Sequence, residues 1–242
     1  ADPIWRSGRP LLGLLNPDDA VCSPIELVGL LRSRLQSTPV LQSSRVYAVE
    51  PGPGGVTVHV RGTVVRAGRA LVCTNAYARE LLPDLAPLVR PNRGQMLSLR
   101  PDNPGDARLL YAYYLNRGAE YLRAGPDGLV LVGGSRKHRE TEEQTSVDEI
   151  NPAVQERLEQ WARELITPRF TVTARWSGIM GFSPDGLPIV RPCDPAGRVW
   201  FCGGLTGHGM SMGHLTARHA VGVMLDGAPS PFGINPDGTR PG

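Results

Sequence analysis

Lysine is almost missing from this chain. Lys137 is the single lysine, and the other residues with a formal positive charge are arginines. Arginine-rich surfaces that hold nucleic acid cluster their charge and interleave it with aromatic side chains. Here no basic run is longer than Arg136-Lys137, so a compositional preference explains the bias and no nucleic-acid partner is expected. Cysteine is also sparse. Cys22, Cys73, Cys193 and Cys202 form no CxxC pair and no other metal-ligand spacing, which argues against both a metal site and a disulfide framework. Three of them sit beside apolar residues and are expected to act as small core hydrophobes. No apolar run approaches the ~18 residues of a membrane span. There is no signal peptide and no initiator Met. The abrupt opening at Ala1-Asp2-Pro3 carries the expectation that upstream sequence is missing, and a reducing, cytoplasmic setting is the default. No His/Asp/Ser set with triad logic, internal repeat or low-complexity tract is present.

What remains is ordinary for a globular protein: 242 residues, 40% hydrophobic and 20% charged, with a net charge of +3. Ser23-Pro24-Ile25-Glu26 is a helix start with a capping box, followed by an apolar face of Ile25, Val28, Leu31 and Leu35. Short strands are predicted over 45–50, 55–61, 64–66 and 69–74, with a hairpin turn at Gly52-Pro53-Gly54-Gly55. A short helix over 75–82 and a strand over 90–100 come next. A strand-rich block over 109–134 turns at Asn116-Arg117-Gly118 and Gly125-Pro126-Asp127-Gly128. Asn151-Pro152 caps a helix whose face is Val154, Leu158, Trp161, Ala162 and Leu165. Strands over 170–178 and 199–202 and a helix over 208–225, stopped by Asp226-Gly227, complete the pattern, leaving an extended or frayed Pro/Gly-rich tail. The fold class is α+β with much antiparallel sheet.

The densest signal is Gly203-Gly204-Leu205-Thr206-Gly207-His208-Gly209-Met210-Ser211-Met212, placed between an apolar strand and a helix. Strand, glycine-rich turn and helix together aim backbone N–H groups at an electron-rich ligand, and the glycines let that ligand come close. A flexible strand-to-helix joint is the alternative reading for such a loop standing alone.

It does not stand alone. Together with Ala70-Leu71-Val72-Cys73-Thr74-Asn75-Ala76-Tyr77 and the run from Arg175 through Pro184-Asp185-Gly186-Leu187-Pro188 to Val190, it resembles the FAD-dependent amine and D-amino-acid oxidoreductases. That group contains glycine oxidase, sarcosine oxidase and γ-glutamylputrescine oxidoreductase. The Arg93-Gly94-Gln95 strand and the hairpin from Tyr121 to Gly133-Gly134 extend the likeness, which is nearest the γ-glutamylputrescine branch. It implies a mostly antiparallel substrate domain with flanking helices, plus the late segments of an FAD-binding α/β domain. The first βαβ unit is missing, because no Gly-x-Gly-x-x-Gly occurs. The implied partition is 1–36 entering the substrate and FAD region, 37–82 in the FAD-binding domain and 83–172 in the substrate domain. Residues 173–227 would be FAD-lining segments and helix, and 228–242 a tail.

The resemblance implies non-covalent FAD. Cofactor-lining positions would be Val46, Thr74, Asn75, Gly178, Gly204, Leu205, Thr206, Gly207, His208, Gly209, Met210 and Ser211. The loop would face the N1/C2=O edge of the flavin ring. His208 is equally readable as a loop histidine satisfied by its own neighbours, and Asp185 as a turn former without catalytic duty. Gly178 stands where sarcosine oxidase links its flavin through Cys. Neither Met180 nor Gly207 supplies the carboxylate-clamping arginine of glycine oxidase, and Ser211 replaces a lysine of sarcosine oxidase. An amine such as a γ-glutamylated polyamine therefore fits better than a simple α-amino acid. Tyr113, Tyr114, Tyr121 and Trp176 are candidates for an aromatic wall, and Arg123 and Arg136 for a remote carboxylate anchor. Ordinary sheet aromatics and surface arginines are the competing readings. The alternative from another class is a non-catalytic or half-site subunit that needs a separate dinucleotide-binding partner.

Overall fold

A computed structural model describes residues 13–235 and 237–240. The Ala1-Asp2-Pro3 opening and the rest of 1–12, Pro236 and the last two residues lie outside the described residues. The chain divides into two compact units, Ala1–Val21 with Arg93–Ile179, and Cys22–Asn92 with Met180–Gly242.

The second of these, made from two segments far apart in sequence, starts with helix α1 (Pro24–Ser33). The Ser23 hydroxyl accepts the Glu26 N–H at 3.4 Å, so the expected cap forms, but the expected apolar face is exposed among the described residues. Ile25 is 85% exposed and Val28 64%. Strands β1 (Val46–Gly52), β2 (Gly55–Val60) and β3 (Thr63–Ala67) form an antiparallel meander, with Gly52 opposite Gly55 at the predicted hairpin. Strand β4 (Ala70–Val72) runs into a 3-10 turn, Asn75–Tyr77, and the short helix α2 (Ala78–Leu81).

Strand β5 (Arg90–Pro101) carries the chain into the other unit. There β6 (Tyr113–Leu115), β7 (Glu120–Ala124), β8 (Val130–Gly134) and β9 (Phe170–Phe182) join it in the order β6-β7-β8-β5-β9. The sequence expected a strand from residue 109; only its last three residues pair. A one-turn helix α3 (Glu140–Glu143), absent from the sequence reading, precedes α4 (Pro152–Leu165). The Asn151 side chain caps α4 by accepting the Ala153 and Val154 N–H groups. Leu158, Trp161 and Ala162 on α4 close a core with Leu97, Leu99, Leu122, Val130 and Val132 from one sheet face. Each large apolar side chain buried there contributes about 1.5–3 kcal/mol.

The chain returns through β9 to β10 (Ile189–Pro192), β11 (Val199–Gly203) and helix α5 (Gly209–Asp226), which ends on Gly227 at φ 68°. β10, β11 and β4 form a second sheet, antiparallel between the first two and parallel between β11 and β4. The described part of the tail is anchored rather than frayed. Phe232 (5% exposed) and Ile234 (6%) are core residues, Gly233 bridges to Val190, and Arg240 pairs with Asp185. Two apolar anchors and an ion pair outweigh the turn-forming composition that suggested a loose end. The cysteines also depart from expectation: Cys22 and Cys73 are exposed and Cys193 and Cys202 half-buried, so a hydrophobic neighbour in sequence did not imply burial.

Candidate functional site

β4 and β11 lie parallel, with Ala70, Leu71 and Val72 opposite Val199, Trp200 and Phe201. Both strands then turn sharply. Asn75 adopts φ 48° and Gly204 φ 67°, and the Gly204 N–H donates to Asn75 Oδ1 at 2.9 Å. Asn tolerates this left-handed conformation better than most residues. A Cβ on Gly181 would come within 2.4 Å of the same Oδ1, so glycine there gives the Asn75 carbonyl its place.

The loop is held from below as well. Thr206, at φ 49°, donates its N–H to the Gly181 carbonyl at 2.8 Å, while its hydroxyl accepts from the Ser183 N–H at 3.2 Å and donates to the Gly204 carbonyl at 3.2 Å. Leu205 bridges to Phe182. The His208 N–H donates to Leu205 O at 2.8 Å, and its ring Nδ1 lies 2.9 Å from Thr206 O. Its imidazole thus meets its own loop. α5 begins at the next residue, and no side chain caps it. First-turn N–H groups of a helix have no intrahelical partner, and the helix dipole makes that end attractive to anions. Gly207, His208, Met210 and Ser211 are exposed around it, whereas Gly203 and Gly204 are buried.

Asp185 is a structural residue. It accepts the Leu187 N–H at 3.1 Å and takes a bidentate ion pair from Arg240, at 2.8 and 2.9 Å, which holds its carboxyl at about 2. Arg240 also donates to the carbonyls of Leu187, Pro188, Phe232 and Gly233.

In the other unit, Tyr114 pairs with Tyr121 across β6 and β7, and the rings stack at 5.7 Å and 22°. Tyr121 and Arg123 share the β7 face opposite the buried Leu122. The Tyr121 ring lies over Gly133, where a Cβ would come within 2.5 Å of it. Burial pushes the Tyr121 phenol up; Tyr114 adds to this and the Arg136 charge opposes it. Tyr114, Tyr121 and Arg136 are therefore neighbours. Trp176 (39% exposed on β9) is outside the stack, and Arg123 donates to its neighbour's carbonyl at 3.3 Å.

Not every candidate joins one of these groups. Val46 belongs to the β1-β2-β3 meander rather than to the sheet bearing the loop, and Gly178 is in the part of β9 belonging to the unit with the tyrosines. Thr74 directly precedes Asn75, and its side chain does not cap the turn. The sequence reading missed Glu143. It is fully buried, and Arg93, Gln95 and Asn151 hydrogen-bond to it at 2.8, 3.2 and 2.7 Å. Burial raises its carboxyl, but those donors outweigh it and hold the group below the usual range. Only Arg93 and Gln95 on one strand hinted at a buried acid elsewhere.

The sequence profile of the FAD dependent oxidoreductase family matches residues 3–222. The chain belongs to that family. Glycine oxidase of Pseudomonas aeruginosa is 27% identical over 165 residues, 66% of this chain and 42% of that protein. Glycine oxidase from Geobacillus kaustophilus superposes with a TM-score of 0.64 at 19% identity, over 80% of this chain and 51% of its own. Iminodiacetate oxidase from Chelativorans sp. BNC1 gives 0.64 at 17%, over 85% and 55%. L-proline dehydrogenase from P. horikoshii gives 0.64 at 14%, over 78% and 51%. The chain spans about half the length of these relatives, and their folds confirm the α+β architecture.

FAD is the cofactor of this FAD-dependent oxidoreductase family, and the uncapped, accessible start of α5 would suit an electron-rich ring edge. No Gly-x-Gly-x-x-Gly segment for a pyrophosphate occurs in the sequence. Among the described residues no cluster could hold a metal, and no helix is long and apolar enough to cross a membrane.

Proposed function

We propose that the full-length protein oxidises a primary or secondary amine to an imine, with hydrolysis to follow, and that this chain supplies the flavin-edge loop and the substrate-contacting sheet. The observation that carries it is the loop itself: Asn75, Gly181 and Ser183 fix Gly204–Thr206 so that α5 opens without a side-chain cap. Bound FAD, held non-covalently, would accept the hydride. The chain's own part is to meet the negative charge that arrives with it. A helix N-terminus favours an anion by about 0.3–1 kcal/mol when exposed and up to ~2 when partly buried. The N–H groups of Gly209, Met210 and Ser211 are the donors.

Tyr114 and Tyr121 offer ring faces to the substrate's alkyl chain or ammonium group. Because burial raises its phenol, Tyr121 stays protonated at neutral pH and can donate a hydrogen bond. Arg123 and Arg136 suit a carboxylate remote from the amine, as in a γ-glutamylated polyamine. The absence of a basic residue at Met180 and Gly207 speaks against an α-carboxylate at the reacting carbon. In the full-length protein, such an amine is expected to bleach the flavin band anaerobically faster than glycine or a D-amino acid. Faster bleaching by the simple amino acids would overturn the substrate reading.

The second reading, a half-site subunit completed by a dinucleotide-binding polypeptide, is favoured by the exposed apolar face of α1 and by β4, whose outer edge pairs with no described strand. Either way, the 242 residues alone should retain little FAD. Stoichiometric yellow flavin on the purified chain would refute that. A flavin-bearing polypeptide that co-purifies would favour the subunit reading.

A further inference from the structure

Cys73 and Cys202 are placed as a pair. The parallel register that sets Val72 opposite Phe201 sets Cys73 opposite Cys202 one residue later. The chains stay adjacent past that point, because the Gly204 N–H reaches Asn75 Oδ1 at 2.9 Å. Neighbouring strands are about 4.8 Å apart, and a disulfide accepts Cα separations of about 4.4–6.8 Å. Side-chain direction agrees. Leu71, Trp200 and Cys202 pack around the Val190, Ala220 and Phe232 cluster, and strand alternation puts Cys73 on the same face as Leu71.

Each thiol feels the other. This lowers the Cys73 thiol and raises that of Cys202. Cys73 is exposed, so a small oxidant can reach it. Cys193 differs on each count: burial pushes its thiol up to about 11, and its hydrogen bond goes to the Arg191 carbonyl.

We propose that Cys73 and Cys202 are a redox dithiol that hydrogen peroxide closes to an intramolecular disulfide. In the first step the Cys73 thiolate attacks one peroxide oxygen. The O–O bond breaks, hydroxide leaves and takes up the thiol proton as water, and Cys73 becomes a sulfenic acid. The Cys202 sulfur then attacks the Cys73 sulfur. The S–S bond forms, the S–O bond breaks, and the departing hydroxide takes the Cys202 proton as a second water. Two thiols lose two electrons and two protons, and one peroxide becomes two waters. The bond ties together the strand ends immediately ahead of Asn75 and Gly203-Gly204. Oxidation therefore locks the spacing that the Asn75–Gly204 hydrogen bond otherwise sets, and a thiol reductant releases it.

The test is peptide mapping of the whole chain. Reduced protein is exposed to hydrogen peroxide, blocked with N-ethylmaleimide and digested with trypsin without reductant. The expected product is peptide 70–79 joined to peptide 199–218, two hydrogens lighter than the separate thiols and split by dithiothreitol. C22S and C193S should still form it, and C73S should leave Cys202 alkylatable. Oxidised wild-type protein should also melt at a higher temperature than reduced protein, a shift that C73S, checked for native circular dichroism, would not show. Alkylation of both cysteines after peroxide would overturn the proposal. So would irreversible over-oxidation of Cys73 alone, or its linkage to Cys22, Cys193 or a second chain.

Discussion

Asn75 does two jobs with one side chain. Its backbone sits at φ 48°, and its carbonyl takes the Gly204 N–H. Asn75→Ala removes the acceptor and puts a poorly suited residue in the left-handed region, so a loss of about 1–3 kcal/mol is expected from the orphaned donor alone. Asn75→Asp keeps an acceptor and should lose less; denaturant midpoints compare the two. Gly181→Ala should act through the same atom, because its Cβ would lie 2.4 Å from Asn75 Oδ1. The two changes combined should therefore cost less than their sum. At the other candidate group, Gly133→Ala would push a methyl to within 2.1 Å of Met96 Sδ and 2.5 Å of the Tyr121 ring. Overpacking of this kind costs about 1–3 kcal/mol, and loss of the tyrosine near-ultraviolet circular dichroism signal would show that the stack had opened.

Helices α1 and α4 carry similar apolar stripes and have opposite fates. Leu158 on α4 is fully buried, so Leu158→Ala should cost about 2–5 kcal/mol. Ile25→Ser and Val28→Ser on α1 should stay within about 0.5 kcal/mol in this chain, since both residues are exposed. Equal losses on the two helices, read by urea denaturation, would contradict this. The sequence made the stripes, caps and hairpin turns legible because those depend on residues within a few positions of one another. It could not say which stripe finds a partner, nor show that Glu143 draws in Arg93 from 50 residues away. The loop was legible from its glycines and from the family likeness. Its supports, Gly181, Ser183 and the Asn75 carbonyl, arrive from distant segments and left no local pattern. The anchoring of the tail was not legible for the same reason, since its hold depends on Asp185. That pair also predicts a pH response. The Asp185 carboxyl lies at about 2 in the folded chain against an ordinary 3.8. A depressed pKa contributes stability that is present above the ordinary value and lost as pH falls through the folded one. The melting-temperature gap between wild type and Asp185→Asn should therefore narrow between those two values and stay constant above them.

At the scale of the molecule, each unit is assembled from two separated segments, Ala1–Val21 with Arg93–Ile179 and Cys22–Asn92 with Met180–Gly242. The family assignment covers both, and the chain spans about half the length of the relatives it matches. The hydrogen bond from Gly204 to Asn75 joins residues 129 apart, and the β4–β11 pairing spans a comparable distance. Contacts of such separation are slow to form, because closing the intervening chain costs entropy before any contact offsets it. On a ribosome, β4 emerges long before its partner strand exists. The Gly204–Thr206 loop is thus a late product of folding, completed only after β11 and the residues that follow it have been made.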